Sequence, residues 1–114
     1  MDQLVNIFKA LGDKNRLRIV KMLQQNALCV CEITAILELA TSTVSKHLSI
    51  LKQAELIGDI KKGKWVEYYL KTTGNNIFIT GLIPLITFWL NEDEQVKTDL
   101  IKLKTTDRNQ ICNV

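Results

Sequence analysis

Cys29 and Cys31 stand two residues apart in the run Ala27-Leu28-Cys29-Val30-Cys31-Glu32-Ile33, shortly ahead of Thr41-Ser42-Thr43-Val44-Ser45-Lys46-His47-Leu48. Thiolates are soft ligands. Trivalent arsenic and antimony take them in a trigonal pyramid, whereas Zn(II) and Cd(II) usually ask for four donors. The chain holds three cysteines, the third being Cys112, so Cys29, Cys31 and Cys112 are the candidate metal or metalloid ligands. Cys112, a thiol from solution, or nothing beyond the pair could complete the coordination. Reduced cysteine also serves as a small buried hydrophobe, and that inert reading stands beside the ligand reading. If both residues of the pair lie on one regular helix, their sulfurs point about 200° apart, so a shared ion requires the helix start to unwind.

The second set of residues reads as a DNA-contacting surface. Val44, Leu48 and Leu51 recur at i, i+4 and i+7, the spacing of a helix with one buried face. Thr41, Ser42, Thr43, Ser45, Lys46 and His47 occupy the remaining positions of that helix. A preceding short helix from about Val30 to Glu38 turns Ile33, Ile36 and Leu37 inward. Two short helices joined by a tight turn, the second polar on its outer face, form a helix-turn-helix, here about residues 30–53. Thr41 or Ser42 is the expected cap of the second helix. A lone histidine at position 47 reads as a DNA contact or as packing rather than as a ligand.

The elements that hold these residues follow from periodicity. Leu4, Ile7, Phe8 and Leu11 keep helical spacing up to Gly12. Asp13 then caps a helix in which Leu17, Val20 and Leu23 share a face, with Lys14, Arg16 and Lys21 solvated. Arg16 and Arg18 are open between phosphate contact and pairing within the chain. From about residue 56 to 71 the pattern changes to strands around Gly63-Lys64, a hairpin wing whose tip carries Lys61, Lys62 and Lys64 toward phosphates or a minor groove. Trp65, Tyr68 and Tyr69 read as packing in that hairpin. Helical signal resumes over about residues 75–90, with a bend at Pro84, and a last helix starts at Asn91 and ends near Leu103. The final ten residues are polar and read as a frayed tail.

At 114 residues, with 46% hydrophobic and 24% charged side chains, the chain fits one domain over residues 1–114. Residues 1–74 carry eleven Lys and Arg against seven Asp and Glu, and residues 75–114 four against five. A basic front and an apolar, near-neutral rear suit a nucleic-acid surface followed by an assembly surface. The start Met1-Asp2-Gln3 has no basic or apolar leader, so a cytoplasmic location with reduced thiols is expected. The apolar stretch Ile77–Leu90 is shorter than the roughly 20 residues of a membrane span and reads as a buried helix.

Taken together, Phe8-Lys9-Ala10-Leu11-Gly12-Asp13, Arg16-Leu17-Arg18-Ile19-Val20, Cys29-Val30-Cys31-Glu32-Ile33, Ser42-Thr43-Val44-Ser45-Lys46-His47-Leu48 and Gly63-Lys64-Trp65-Val66-Glu67-Tyr68-Tyr69-Leu70 resemble the ArsR/SmtB family of metal- and metalloid-responsive repressors, over roughly residues 4–72. The resemblance implies a mostly α winged helix-turn-helix with a small β-hairpin, homodimeric, bound to a palindromic double-stranded operator and released by an inducer. It also implies dimerisation through the first helix and the helices of about residues 75–103, which the apolar run 77–90 fits independently. The arsenic-responsive branch often has a third cysteine where this chain has Thr34, and the cadmium- and lead-responsive branch adds N-terminal cysteines, which residues 1–28 lack. Branches responding to zinc, nickel and cobalt draw histidines from the last long helix, whereas the single histidine here is His47. Position 41, often Gln in the family, is Thr, so the operator sequence does not carry over.

The expected function is a repressor released by As(III) or Sb(III) as inducer, without a permanent cofactor or a membrane partner. To loosen DNA a hundredfold, the inducer must favour the released state by about 2.7 kcal/mol. A redox or reactive-sulfur sensor, bridging Cys112 to one of the pair, is the alternative. A constitutive DNA-binding protein with inert cysteines is a further one. An enzyme finds no support: the sequence has no His-Glu-x-x-His, no Gly-rich phosphate loop and no His beside a Cys.

Overall fold

The computed structural model describes residues 1–112; residues 113 and 114, the end of the expected tail, lie outside it. Helices α1 (Asp2–Leu11) and α2 (Lys14–Leu23) lead into a two-residue strand β1 (Leu28–Cys29). Helices α3 (Val30–Leu37) and α4 (Thr41–Gln53) follow, then strands β2 (Ile57–Lys62) and β3 (Trp65–Leu70), and helices α5 (Ile77–Ile86), α6 (Glu94–Thr105) and α7 (Arg108–Ile111). The architecture is a mostly helical winged helix-turn-helix with a small antiparallel sheet, and none of the described helices is long and apolar enough to cross a membrane.

Local signals account for most of these elements. Asp13 caps α2 as expected, its Oδ1 accepting from the N–H groups of Asn15 (2.8 Å) and Arg16 (3.1 Å). Ile33, Ile36 and Leu37 of α3 and Val44, Leu48 and Leu51 of α4 are buried together with Ile7, Ile19, Val20 and Met22, so the core sits where the first four helices meet. Between α3 and α4 the chain reverses through Glu38, whose φ of 58° places it in the left-handed region. In the wing, Lys62 pairs with Trp65 across a two-residue turn. Gly63 takes φ 60° at the first central position, where hairpin turns of type II′ call for glycine.

Several expectations are corrected. The N-cap of α4 is Ala40 rather than Thr41 or Ser42: the N–H groups of Thr43 and Val44 donate to the Ala40 carbonyl at 3.0 and 3.1 Å. The helix expected over 75–90 is α5, capped by Asn76 and ending two residues after Pro84. Its terminus is closed by Lys21, expected in solvent but buried, whose Nζ donates to the carbonyl of Ile86 (3.0 Å) and to Asn91 Oδ1 (3.0 Å). Burial pushes the Lys21 pKa down. The apolar run is buried on one side only. Ile79, Ile83 and Ile86 face the core, while Ile77, Leu85, Phe88 and Trp89 are exposed, as is Phe8 of α1. Helix α6 starts at Glu94, capped by Asp93, rather than at Asn91.

The C-terminal end departs most from expectation. Beyond α6 the chain does not fray within the described residues but forms α7 and buries Cys112. Strand β1 pairs with β3, Leu28 opposite Tyr68 and Cys29 opposite Glu67, giving the sheet order β1-β3-β2 with the wing strand β3 in the centre.

Candidate nucleic-acid interface and thiol cluster

Burying Val44, Leu48 and Leu51 fixes the roll of α4 and turns Thr41, Ser42, Thr43, Ser45 and Lys46 outward, all exposed. Because Ala40 supplies the cap, the hydroxyls of Thr41 and Ser42 are not taken up in capping α4. An exposed row of hydroxyls and an ammonium on the outer face of a helix whose other face is buried can reach both phosphates and base edges. Lys61, Lys62 and Lys64 cluster at the exposed tip of the wing. Lys52 Nζ of α4 lies 3.0 Å from Asp59 Oδ2 of β2 and ties the wing base to the helix. Between an exposed lysine and a half-buried aspartate at the surface, such a pair orients more than it stabilises.

His47 is half-buried, and its Nδ1 accepts from Arg16 Nη1 at 3.1 Å. Since arginine can only donate, Nδ1 is the acceptor nitrogen of that bond. Arg16 also donates through Nε to the Ala10 carbonyl (2.6 Å) and through Nη2 to that of Lys9 (3.3 Å), closing the end of α1. His47 is therefore packed, and it couples the first helices to α4. Arg18 is equally committed within the chain, donating to both carboxylate oxygens of Asp99 at 2.8 and 2.9 Å.

The three cysteines gather at the start of α3. Cys29 is the last residue of β1 and the N-cap of α3, with extended backbone (φ −84°, ψ 159°). It therefore lies outside the helix, and the angular separation expected for two sulfurs on one regular helix does not arise. Its N–H donates to Glu32 Oε1 at 2.8 Å, the carboxylate half of a capping box. The Cys29 thiol is buried. Burial pushes its pKa up; the nearby Arg108 guanidinium pulls the other way, while the Glu32 and Glu67 carboxylates add to the rise. The protonated thiol is thus the neutral-pH form. Cys31, in the first turn of α3, is joined to Cys112 as a disulfide with 5.6 Å between the Cα atoms, an ordinary separation for such a bond. This corrects the expectation of three reduced thiols. Among the described residues, no group of three or more His, Cys, Asp or Glu side chains is assembled as a metal site.

One residue organises this corner. Arg108, at the head of α7, donates through Nε to Glu32 Oε1 (2.9 Å), through Nη1 to Glu67 Oε2 (2.6 Å) and through Nη2 to the Ala27 carbonyl (3.4 Å). Its Cζ lies 5.3 Å from the centre of the Trp65 ring, and Lys64 Nζ lies 5.2 Å from the same ring. The hydrogen bond from Arg108, helped by Lys62, holds the Glu67 carboxyl below its usual pKa. Reading the sequence did not single out Arg108, Glu32 or Glu67. For Glu32 a signal existed, a glutamate three residues after a small polar N-cap. For Arg108 there was none, because its position in a tail gives no sign of partners 41 and 76 residues away.

Comparison with known proteins agrees with this geometry. The pattern of the bacterial regulatory proteins of the arsR family matches residues 13–58. The arsenic resistance transcriptional regulator of Pseudomonas putida is 34% identical over 91 residues, spanning 76% of this chain and 71% of that protein. The cadmium resistance transcriptional regulatory protein of Listeria innocua is 42% identical over 79 residues, 68% of this chain and 63% of that protein. Among solved structures, a homodimeric winged helix-turn-helix DNA-binding domain from Mycobacterium bovis, described as a possible ArsR-family transcriptional regulator, superposes with a TM-score of 0.65. It is 25% identical and covers 80% of this chain and 81% of its own. With the winged helix-turn-helix fold and a relative matched over most of its length, the chain belongs to the ArsR family and is a winged-helix transcriptional repressor rather than an enzyme.

Proposed function

We propose that this repressor acts as a homodimer on a palindromic operator and releases it when Cys29, Cys31 and Cys112 bind trivalent arsenic or antimony. The observation that carries the reading is the gathering of all the chain's cysteines at the start of α3, one of them opposite the wing strand. Donor chemistry fits: three thiols suit a trigonal soft ion, and the adjacent carboxylates of Glu32 and Glu67 are already engaged by Arg108. A relative named for arsenic resistance adds support. The exposed apolar side chains of α1 and of the segment from α5 to Trp89, together with the homodimeric M. bovis structure, support the dimer.

The chain's own residues supply the coupling. The Cys31–Cys112 bond must first be opened by two electrons from a small-molecule thiol, which is itself oxidised to a disulfide. Each protein thiol then gives its proton to a hydroxide of arsenous or antimonous acid, which leaves as water, so the second step involves no change of oxidation state. Cys29 must leave its buried place, breaking its hydrogen bond to Glu32 and loosening the pairing of β1 with β3. Helix α3 shifts with it, and α4, which shares its core, loses its orientation.

The disulfide favours a second reading, thiol oxidation as the signal. There Cys31 and Cys112 lose two protons and two electrons to a peroxide, which becomes water, and Cys29 remains a spectator.

Fluorescence anisotropy on a palindromic fragment from the gene's own upstream region separates the two. With reduced protein, arsenite or antimonite is expected to weaken operator binding about a hundredfold or more, and the effect should vanish in Cys29→Ser. Loss of the response in Cys112→Ser as well would place the tail thiol in the site. Under the redox reading, peroxide alone changes the affinity, Cys29→Ser is without effect, and mass spectrometry finds the 31–112 bridge. Affinity indifferent to As(III), Sb(III), Cd(II), Zn(II) and peroxide would sink both.

A further inference from the structure

We propose that Arg108 is a positioning residue for operator binding: by neutralising Glu32 and Glu67 it frees Lys62 of the wing for DNA, and it carries the state of Cys112 to the wing. The second half rests on the thiol-controlled reading above; the first half does not.

The two carboxylate oxygens of Glu67 are divided between two cations, Oε2 with Arg108 Nη1 and Oε1 with Lys62 Nζ at 3.2 Å. The Glu67 side chain is 13% exposed and that of Lys62 63%. The Arg108 contact is therefore the sheltered partner of Glu67 and the Lys62 contact the solvated, replaceable one. A lysine already balanced in this way can exchange its carboxylate for a phosphate at little cost. Remove Arg108, and Glu32 and Glu67 lose the guanidinium they share. Lys62 becomes the nearest cation for a poorly solvated carboxylate and is held back from DNA. Three groups, Glu32 of α3, Glu67 of β3 and the Ala27 carbonyl just ahead of β1, are bridged by this one guanidinium.

Helix α7 supplies the link to sulfur chemistry. Arg108 and Cys112 are four residues apart, and the Cys112 N–H donates to the Arg108 carbonyl at 2.8 Å, so they move as one helical turn. The same turn is anchored twice to α3, at neighbouring positions: covalently at Cys31 and by the ion pair at Glu32. A change of partner at Cys112 therefore pulls Arg108 from Glu67.

The test uses the full chain on the same operator fragment, with anisotropy measured from 50 to 200 mM salt and the urea midpoint of each variant followed by circular dichroism. Arg108→Ala is expected to weaken binding about tenfold and to lower the salt slope of the homodimer by about two, one lost phosphate contact in each protomer. Arg108→Lys, which keeps charge but not the fork, should fall between. The double variant Arg108→Ala/Glu67→Gln should recover to within about threefold of wild type, because a neutral amide no longer competes for Lys62. A merely structural role predicts the opposite: the double variant would bind no better than Arg108→Ala, and the losses would follow the urea midpoint rather than the charge at position 67. Either that result or wild-type binding by Arg108→Ala overturns the proposal. For the coupling, arsenite-driven release should shrink in Arg108→Ala relative to wild type, and an undiminished response overturns the second half. If wild type ignores arsenite and oxidant, the thiol-controlled reading fails, while rescue by Glu67→Gln still decides the role of Arg108.

Discussion

Asp99→Ala is expected to cost about 3–5 kcal/mol of unfolding free energy, the range for stripping one partner from a buried ion pair. Asp99 is 2% exposed and sits on α6, where it accepts both prongs of the Arg18 fork from α2, Nε at 2.8 Å and Nη2 at 2.9 Å. Gln95 Nε2 adds a third hydrogen bond to the same carboxylate at 3.0 Å, and Asn15 Oδ1 accepts from Arg18 Nη1 at 3.0 Å. The Asp99 hydrogen bond raises the Arg18 pKa against the opposing effect of burial. Losing Asp99 therefore leaves a guanidinium with one neutral partner in a site it cannot easily leave. Urea unfolding followed by circular dichroism measures the loss. Replacing both groups by Arg18→Met/Asp99→Leu should be much milder than the single change, since no uncompensated charge remains. A loss under about 1 kcal/mol for Asp99→Ala would mean that the pair behaves as a surface bridge and that α6 is held by its apolar contacts alone.

The second large effect lies at the wing. Converting Lys61, Lys62 and Lys64 together to glutamine should weaken operator binding about a hundredfold per protomer at 0.15 M salt, and lower the salt slope by nearly three per protomer, the sum of three phosphate contacts in each. All three are exposed, and none lies in the buried core, so the urea midpoint should barely move. Lys104→Gln, an equally exposed lysine on α6, serves as the control and should leave both affinity and slope unchanged. An affinity loss without a change in slope would indicate that the variant disturbs the wing's shape rather than its charge.

What could be read in advance was what neighbours in sequence decide. Asp13 beside the apolar spacing of α2, the i, i+4, i+7 stripe of Val44, Leu48 and Leu51, and Gly63 between two β-rich runs each fix a local conformation. Lys21 shows the limit. A lysine at that position reads as solvated, and only the arrival of the α5 end, 65 residues on, gives its ammonium a buried set of acceptors. Phe8 errs in the other direction, since helical spacing marks it as core while the fold leaves it exposed. Strand β1 was missed because two residues make no period. Its pairing with β3 decides that Cys29 is extended rather than helical, and so alters the geometry open to its thiol. For the exposed face of α4, the agreement lies in the placement of the side chains outward; what each touches on DNA is a matter for the operator.

The Cys31–Cys112 bond also has a topological meaning. It joins residues separated by 81 positions, so the ring it closes contains α4, the entire wing, α5 and α6. Closing a ring of that size limits the unfolded chain and is worth about 4–5 kcal/mol on a chain-entropy account. The oxidised chain thus unfolds into a loop and the reduced chain into an open strand. Helix α4 and the lysines of the wing lie inside the ring, so a single backbone break there leaves two pieces still held together by sulfur. For this repressor the tail cysteine is therefore also a clasp, one that makes the folded state's persistence depend on the redox condition of its surroundings.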